Sequence, residues 1–490
     1  MKRDAGRKRP AREGVAPVSQ GRPQERPLSS GMVLSFSSLA LPLGALAVAV
    51  AVYIPPFFAS HLGVNLAAIG AAFAIVRMLD IGVDPILGLV MDRTRTRLGR
   101  YRVWVLAGGP ILMAAVYAMF EAPHGVGTVY LIFWLLVFYL GNSILGLGHS
   151  AWAATLATEY HQRSRVFGVL AAAGVIGAVI VLIIPIVAAH LGLSEAEGVK
   201  SMGWFILILV PIVVALTCLR TPEHIMKTAP EKFALKDYLS LITKPDLLRL
   251  FLAQMALTLG PGWMSALYLF FFKDSRGFSA EQASLLLLVY VIAGIVGAPL
   301  TARLAMRFSK HRTLMVTTTA YSLGLCMVIV LPKANVPLAV PVMFWCGFMA
   351  AGFDLMIRAM LADVADEVRL EQGQERLSLI YALNALANKI ASAFAIGLTF
   401  PLLARIGYDA TAGAGNTPQA IFGLEMAYIV GPIIFVMLGG ACVLGWRLDA
   451  DKHADIRRQL DERDAVYAEA PIIESVGAEP AIAVLSDKGG

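Results

Sequence analysis

Three charged side chains interrupt an apolar segment that reads Ala74-Ile75-Val76-Arg77-Met78-Leu79-Asp80-Ile81-Gly82-Val83-Asp84-Pro85. Spacings of three and four residues place Arg77, Asp80 and Asp84 on one face of a helix. The surrounding segment, about residues 67–91, is long enough to cross a bilayer, so the three charges lie at membrane depth. Charges persist there mainly where they face a water-filled path, a substrate or a counter-ion. The segment therefore predicts a transport site.

The rest of the chain has the composition of a membrane protein. Of its 490 residues, 58% are hydrophobic and 15% are charged. The mean hydropathy of +0.69 exceeds that of soluble domains. Apolar runs of roughly 20 residues recur. They are too long for membrane β-strands and lack the alternation of apolar and polar residues that such strands show. We therefore predict an all-α membrane protein with twelve spans, at 33–59, 66–91, 103–121, 128–150, 166–190, 202–219, 250–272, 282–306, 314–332, 337–362, 377–403 and 420–446.

The spans divide into two sets of six. The predicted organisation is a disordered basic tail (1–32), an N-terminal six-helix bundle (33–220), a polar and basic connector (221–248), a C-terminal six-helix bundle (249–447) and a C-terminal tail (448–490). Two six-helix halves that rock about a site near the middle of the membrane are typical of one large class of secondary transporters.

The distribution of basic residues predicts the orientation. With both termini cytoplasmic, inner segments hold 33 of the 41 Lys and Arg residues and outer segments hold five. The remaining three, Arg77, Arg358 and Lys389, lie within spans. The positive-inside rule thus favours a multi-pass inner-membrane protein with cytoplasmic termini. Because the net charge of +7 lies in loops that face an anionic leaflet, it does not indicate a nucleic-acid partner.

The sequence argues against several other kinds of chemistry. Its four cysteines are scattered through apolar spans without metal-ligand spacing. It contains neither a Walker-type phosphate loop nor a nucleophile elbow, so we expect neither an ATP-driven pump nor an enzyme. We expect no cofactor, and the partners expected are a small solute, a coupling cation (H⁺ or Na⁺) and the lipid bilayer. A monomer is expected.

Further polar residues lie within the spans of the C-terminal half. Lys389 in span eleven could approach the carboxylates of span two and form an ion network, with either a functional or a merely structural role. Asp354 and Arg358 lie four residues apart in span ten. They form either a self-neutralising pair or an auxiliary acidic site. Tyr381, Asn384 and Asn388 could bind sugar hydroxyls or equally hold helices together.

The loop after span two is acidic and then densely basic. It contains Asp92, Arg93, Arg95 and Arg100 on the predicted inner side. Charge-assisted hydrogen bonds from these side chains are predicted to latch the two halves at the cytoplasmic face.

The run Arg77-x-x-Asp80-x-x-x-Asp84-Pro85-x-x-Gly88-x-x-x-Asp92-Arg93-x-Arg95, closed by Gly99-Arg100, looks like a family signature. It resembles that of the glycoside–pentoside–hexuronide:cation symporters, the melibiose permease group of the major facilitator superfamily. Weaker matches are Asp363-Val-Ala-Asp366-Glu367 with Gly373, Lys389, and His453-x-x-Ile456-x-x-x-Leu460-x-x-Arg463. The resemblance extends from about residue 35 to 465.

The resemblance implies cation-driven sugar uptake, with Asp80, Asp84 and Lys389 near substrate and cation. By this resemblance, the positions of the family's acidic residues in spans one and four are Gly44 and Gly146. Its arginine in span five falls near residues 170–171. Ser143 can occupy the hydroxyl position of span four. Because these acidic positions are glycines here, we expect H⁺ rather than Na⁺ as the coupling ion.

The function expected from the sequence is therefore symport of a sugar, glycoside or similar small polar solute with a cation, most simply H⁺. Three alternatives remain open at this point. One is a transporter of lysolipids or other amphiphiles, which would need an apolar cavity continuous with lipid. The second is an exporter that works by antiport, and the third is a membrane sensor that transports no solute.

Overall fold

The computed structural model describes residues 28–156, 160–223, 240–373, 376–411 and 413–469. Most of the predicted basic tail and the central part of the connector lie outside these residues. The described residues contain twelve helices that are long and apolar enough to cross a membrane, which confirms the predicted fold class. These helices are α1 (Ser30–Ser60), α2 (Leu66–Arg93), α3 (Arg102–Phe120), α4 (Thr128–Leu156), α5 (Tyr160–His190), α6 (Glu195–Arg220), α7 (Pro245–Ser275), α8 (Ala280–Phe308), α9 (Lys310–Val330), α10 (Val336–Gln372), α11 (Leu377–Ile406) and α12 (Pro418–Ala441).

Two predicted spans end clearly too early, span four at residue 150 where α4 reaches Leu156, and span ten. The apolar run of span ten stops near residue 362, but α10 continues to Gln372 and ends at Gly373, whose φ of 71° is left-handed. The added turns carry Asp363, Asp366 and Glu367. Hydropathy detects only the part of a helix that is suited to lipid, whereas the glycine at the C-cap determines where the helix stops.

Local sequence explains where helices begin and bend. Capping boxes fix the first turns of α6 and α8, in which Ser194 pairs with Glu197 and Ser279 with Gln282. In α1 a π-helical turn, Ala49–Tyr53, comes directly before two prolines at 55 and 56. Proline lacks the N–H that continues the α-helical pattern, which accounts for the irregular turn.

The two halves contact each other along matched pairs of helices. Helix α2 packs against α11, and α5 packs against α8, with a smaller contact between α1 and α7. At Gly70 of α2, a Cβ atom would lie 3.1 Å from the Ile396 carbonyl oxygen and 2.7 Å from Pro401 Cδ. Only glycine permits this approach, which holds the α2 face that carries Asp80 and Asp84 against α11.

A further helix, α13 (Ala450–Glu469), lies against α10 after the last span. Its Ile456 and Leu460 are buried, and His453 Nε2 lies 3.1 Å from Asp366 Oδ2. We call the end of the bundle that carries α13 the inner face and the opposite end the outer face.

Candidate functional site

The three charged residues of α2 share one face, as their spacing predicts. Arg77 Nη1 lies 3.7 Å from Asp80 Oδ2. The Arg77 guanidinium also stacks over the ring of Tyr139 on α4, with its Cζ 4.3 Å from the ring centroid. A cation held over an aromatic face is attracted by the ring quadrupole. Arg77 is therefore oriented by α4 as well as by its neighbour on α2.

Lys389 of α11 reaches across the interface between the two halves. Its Nζ lies 2.9 Å from Asp80 Oδ2 and also donates to Asp84 Oδ2. One ammonium group from the C-terminal half thus bridges two carboxylates of the N-terminal half. From their charges, the sequence analysis suggests that Lys389 could approach the carboxylates of span two. The structure places these residues in contact.

The two carboxylates differ in their exposure and in the hydrogen bonds that their oxygen atoms accept. The side chain of Asp80 is 3% exposed, and its Oδ1 accepts a hydrogen bond from Ser143 Oγ at 3.0 Å. Asp84 is 21% exposed at the side chain, but its Oδ1 is buried and has no hydrogen-bond partner among the described residues. A buried acceptor without a partner is costly. Asp84 is thus the carboxylate that can accept a further proton, ion or hydroxyl.

The formal charges in this cluster cancel. Arg77 and Lys389 contribute two positive charges, and Asp80 and Asp84 contribute two negative charges. A balanced network costs less to bury than an isolated charge, but removal of any one partner leaves an uncompensated charge. The site is therefore sensitive to both protonation and displacement of a single group.

A central cavity of about 350 Å³ lies beside the cluster and is shared by both halves. Most of its lining is apolar, from α1, α2, α4, α7 and α11, but Arg77 also lines it. So do neutral polar side chains that sequence reasoning missed, namely Tyr139, Asn142, Thr258, Ser265 and Ser392. Two of these lie close in sequence to residues already singled out. Asn142 is next to Ser143, and Ser392 lies one helical turn after Asn388. Polar residues at such intervals in apolar spans are the signal that could have identified them.

A second cavity of about 400 Å³ lies within the C-terminal half, between α7, α8, α10 and α11. Asp354, Arg358 and Asn388 line it, and Thr258 lines both cavities. Arg358 Nε lies 2.6 Å from Asp354 Oδ2, and their side chains are 62% and 50% exposed. The predicted pair therefore forms, and it faces a cavity at mid-helix depth.

The other two polar residues of α11 lie elsewhere. Tyr381 donates from its hydroxyl to the Arg358 carbonyl oxygen at 3.2 Å, a contact that joins α11 to α10. Asn384 is buried, and its Oδ1 has no partner among the described residues. Neither residue is part of the central cavity lining described above.

The described residues cover the predicted cytoplasmic latch only in part. Arg93 and Arg95 are exposed, and the side chain of Asp92 lies outside the described atoms. The N–H of Arg100 donates to Glu223 Oε1 at 2.7 Å, which ties this part of the loop to the start of the connector after α6. A latch between the halves stays a prediction.

At the outer face, side chains join the halves directly. Lys273 of α7 pairs with Glu195 of α6, and His190 Nδ1 lies 3.2 Å from Glu281 Oε1. Deeper in, the Tyr53 hydroxyl donates to Ser284 Oγ at 2.9 Å. These contacts bring the outer ends of the halves together.

An outer cavity of about 740 Å³ surrounds these contacts. It is the largest of the described cavities, but its lining does not include Asp80, Asp84 or Lys389. His61 lines it, and burial lowers the pKa of His61, an effect that nearby Glu195 opposes and Lys273 reinforces.

Comparison with known proteins places the chain among transporters. Residues 35–450 match the family described as MFS/sugar transport protein. The chain is 24% identical to an uncharacterized symporter, YnaJ, of Bacillus subtilis (strain 168), over 85% of this chain and 92% of the relative. It is also 24% identical to the isoprimeverose transporter of Lactiplantibacillus pentosus, over 82% and 85% of the two chains.

A solved structure of similar fold is the crystal structure of the nucleoside transporter NupG. It superposes with a TM-score of 0.65 at 14% identity and covers 85% of this chain and 99% of that one. At this identity the likeness supports the arrangement of the helices and carries no information about substrate.

Proposed function

This chain belongs to the sugar-transport family of the major facilitator superfamily, and from that membership we propose that it couples uptake of a sugar or glycoside to the inward flow of protons. The described spans make it a multi-pass membrane protein. The distribution of basic residues supports insertion in the inner membrane with both termini in the cytoplasm.

The observation that carries this proposal is the bridge from Lys389 to Asp80 and Asp84 across the two halves. In a rocking transporter, contacts between halves are remade in each cycle. A solute that binds in the central cavity can compete for Arg77, which lines it. It thereby changes the charge balance felt by the carboxylates.

A proton is the coupling ion that this geometry favours. A carboxylate that loses its counter-ion in a buried site binds a proton more readily. In our proposal Asp84 is that group, because its Oδ1 is buried and unpartnered while both oxygens of Asp80 accept hydrogen bonds. Hard cations such as Mg²⁺ and Ca²⁺ bind about six or more oxygen atoms. Na⁺ likewise takes several, whereas this cluster offers one open oxygen.

The lining of the central cavity supports a hydroxylated solute. Sugar hydroxyls both donate and accept hydrogen bonds. Asn142, Thr258, Ser265 and Ser392 can do the same. These polar side chains support a hydroxylated solute, whereas the lysolipid alternative would need an apolar path from the cavity to lipid.

The alternating cycle is supported by contacts at the outer face. Lys273 with Glu195 and His190 with Glu281 hold the outer ends together. Opening to the outside must break these contacts, and the solute and proton would then bind together. Closure of the outer face would release both to the cytoplasm.

The experiment that tests the proposal is uptake of labelled sugars into proteoliposomes that contain the purified protein. The membrane potential is clamped, and an inward pH gradient or an inward Na⁺ gradient is imposed separately. We expect accumulation of a neutral sugar with the pH gradient and none with Na⁺ alone. Strict dependence on Na⁺ would refute proton coupling, and absence of transport of every sugar would refute the function.

A further inference from the structure

We propose that the cavity within the C-terminal half is a second sugar subsite, in which Asp354 and Arg358 bind neighbouring hydroxyls of the distal unit of an uncharged glycoside. The inference rests on the proposed function and specifies its substrate class. It adds a site to the central cluster of Arg77, Asp80, Asp84 and Lys389.

The position of the pair points to a role in the transport path. Asp354 lies in the apolar part of α10, eight residues before the predicted end of span ten at residue 362. Charged side chains at this depth are expensive unless water or a ligand reaches them. Asp354 and Arg358 are half exposed or more, and they line a cavity of about 400 Å³. This volume is within the range of about 300–1,000 Å³ that ligand sites occupy.

A polar wall faces the pair across the cavity. Gln254 Nε2 donates to Thr258 Oγ1 at 3.0 Å, and Thr258 Oγ1 donates to Asn388 Oδ1 at 2.9 Å. Gln254 is only 3% exposed, yet its Oε1 has no hydrogen-bond partner among the described residues. A buried amide oxygen that lines a cavity and lacks a partner can accept a hydrogen bond from a bound hydroxyl.

The subsite adjoins the central cavity. Thr258 lines both cavities, and Asn388 is adjacent in sequence to Lys389. In our proposal one unit of a glycoside lies beside Arg77 while the second lies beside Asp354 and Arg358.

The charges of Asp354 and Arg358 determine which class of substrate the subsite can bind. A carboxylate accepts hydrogen bonds from two hydroxyls, and an adjacent guanidinium donates to hydroxyl oxygens. Asp354 cancels the charge of Arg358, so the pair offers no net attraction to an anion. A uronate would bring its carboxylate beside Asp354, where like charges repel. The geometry thus fits an uncharged disaccharide or glycoside.

The test measures binding by isothermal calorimetry on the purified full-length protein. The probes are lactose, maltose and melibiose, the monosaccharides galactose and glucose, and the anion glucuronate. The variants are Asp354→Asn, Arg358→Gln and Arg358→Lys. Asp455→Asn, which breaks the exposed Asp455–Arg458 pair on α13, is the matched control. The melting temperature of each variant checks that it is folded.

We expect the best disaccharide to bind at least about tenfold more weakly in Asp354→Asn and Arg358→Gln, because each loses charge-assisted hydrogen bonds. Arg358→Lys should lose part of the affinity, since lysine lacks the planar fork. Monosaccharide binding should change less than about threefold, and the control should behave as wild type. The exchanged variant Asp354→Arg/Arg358→Asp re-forms an ion pair but should not recover disaccharide binding.

Three results would overturn the subsite. They are unchanged disaccharide binding in Asp354→Asn, recovery in the exchanged variant, and tighter binding of glucuronate than of neutral disaccharides by the wild type. Each leaves the proposed function standing, because the wild-type protein still binds sugar. A wild-type protein that binds no sugar at all would overturn both proposals.

Discussion

Lys389 Nζ lies 2.9 Å from Asp80 Oδ2, so the C-terminal half of the protein contributes the counter-ion for a carboxylate of the N-terminal half. The same ammonium group also contacts Asp84. Asp80 receives a second hydrogen bond, from Ser143, whereas the other oxygen of Asp84 is unpartnered among the described residues. The two aspartates are chemically unequal, and this inequality leads to separable predictions.

The first prediction concerns Asp84→Asn. An amide cannot carry the coupled proton, so we expect accumulation of sugar against a gradient to be abolished. Exchange of labelled for unlabelled sugar should persist, because exchange requires binding and rocking without net proton movement. Proteoliposome uptake and counterflow, measured side by side, separate the two activities. Asp409→Asn in the outer loop, whose carboxylate bonds locally to the N–H of Thr411, is the control.

Accumulation by Asp84→Asn at the wild-type level would show that Asp84 does not carry the coupling ion. Asp354 would then become the leading candidate, because its side chain is 50% exposed and faces a cavity within the C-terminal half.

The second prediction concerns Lys389→Ala. The variant leaves Asp80 and Asp84 with Arg77, 3.7 Å from Asp80 Oδ2, as the remaining nearby cation. Removing one partner of a buried ion network costs about 3–5 kcal/mol, and the partial exposure of Lys389 favours the lower end. We expect a lower melting temperature and loss of transport. The double variant Asp84→Asn/Lys389→Ala removes one charge of each sign, so it should regain part of the melting temperature but no coupling.

A double variant that is less stable than Lys389→Ala would contradict this account of the charge balance. Thermal unfolding of the purified proteins in one detergent is sufficient to decide between these outcomes.

The charged part of the site could be predicted from sequence because unpaired charges at membrane depth need partners. Arg77, Asp80, Asp84 and Lys389 are rare residues within spans, so their pairing follows from chemistry. Tyr139 and Asn142 could not be assigned in this way. Whether a neutral side chain faces the cavity depends on the rotation of α4 about its axis, which tertiary packing determines.

The ends of the spans show a similar limit. Hydropathy located all twelve spanning helices, but it ended span ten at residue 362 where α10 reaches Gln372. It also could not show that Asp354 and Arg358 face a cavity within the C-terminal half, since an i,i+4 pair has the same spacing on any helix face. Only the packing of α7, α8, α10 and α11 creates that cavity.

The third prediction uses the two glycines at which related symporters are expected to carry acidic residues. A Cβ at Gly146 would meet no atom within 4 Å, and Gly146 lines the central cavity. Gly146→Asp should therefore fold and add carboxylate oxygens on the cavity wall of α4, three residues from Ser143. We expect uptake to become stimulated by Na⁺, because hard cations favour several oxygen ligands. Sugar uptake at fixed membrane potential, with and without Na⁺, is the measurement.

Gly44→Asp provides a contrasting variant. A Cβ at Gly44 would lie 2.0 Å from the Gly174 carbonyl oxygen, where α1 and α5 are in backbone contact. We expect this variant to be strongly destabilised and poorly expressed. A stable Gly44→Asp protein, or a Gly146→Asp protein indifferent to Na⁺, would each contradict the corresponding part of the prediction.

The fourth prediction concerns closure of the outer face. Glu195→Gln removes the ion pair with Lys273 that joins α6 to α7, so the outer face should open more often. Ser60→Cys, in the lining of the outer cavity, reports opening through its rate of reaction with a membrane-impermeant maleimide. We expect labelling to be several-fold faster when Glu195→Gln is added. Lys333→Gln, at an exposed outer position, should leave the rate unchanged.

The fifth prediction is that acid opens the outer face through His61. Burial lowers the pKa of His61 from its ordinary value of 6.5, so the closed face favours the neutral ring. The stabilisation of the closed face is thus present above about pH 6.5 and is lost as the pH falls below that value. Glu195 attracts protonated His61 and Lys273 repels it, so the effect of burial, which is the largest, sets the sign. Labelling of Ser60→Cys should therefore accelerate as the outer pH falls, once corrected for the pH dependence of the thiol reaction.

The measurement is best made in a His190→Gln background. Protonation of His190 would strengthen its contact with Glu281, 3.2 Å away, and so oppose the effect of His61. Adding His61→Gln should then abolish the acceleration, because glutamine does not titrate. If the acceleration persists in His61→Gln, another group controls the outer face. If labelling slows on acidification while His61 is present, the sign of the prediction is wrong.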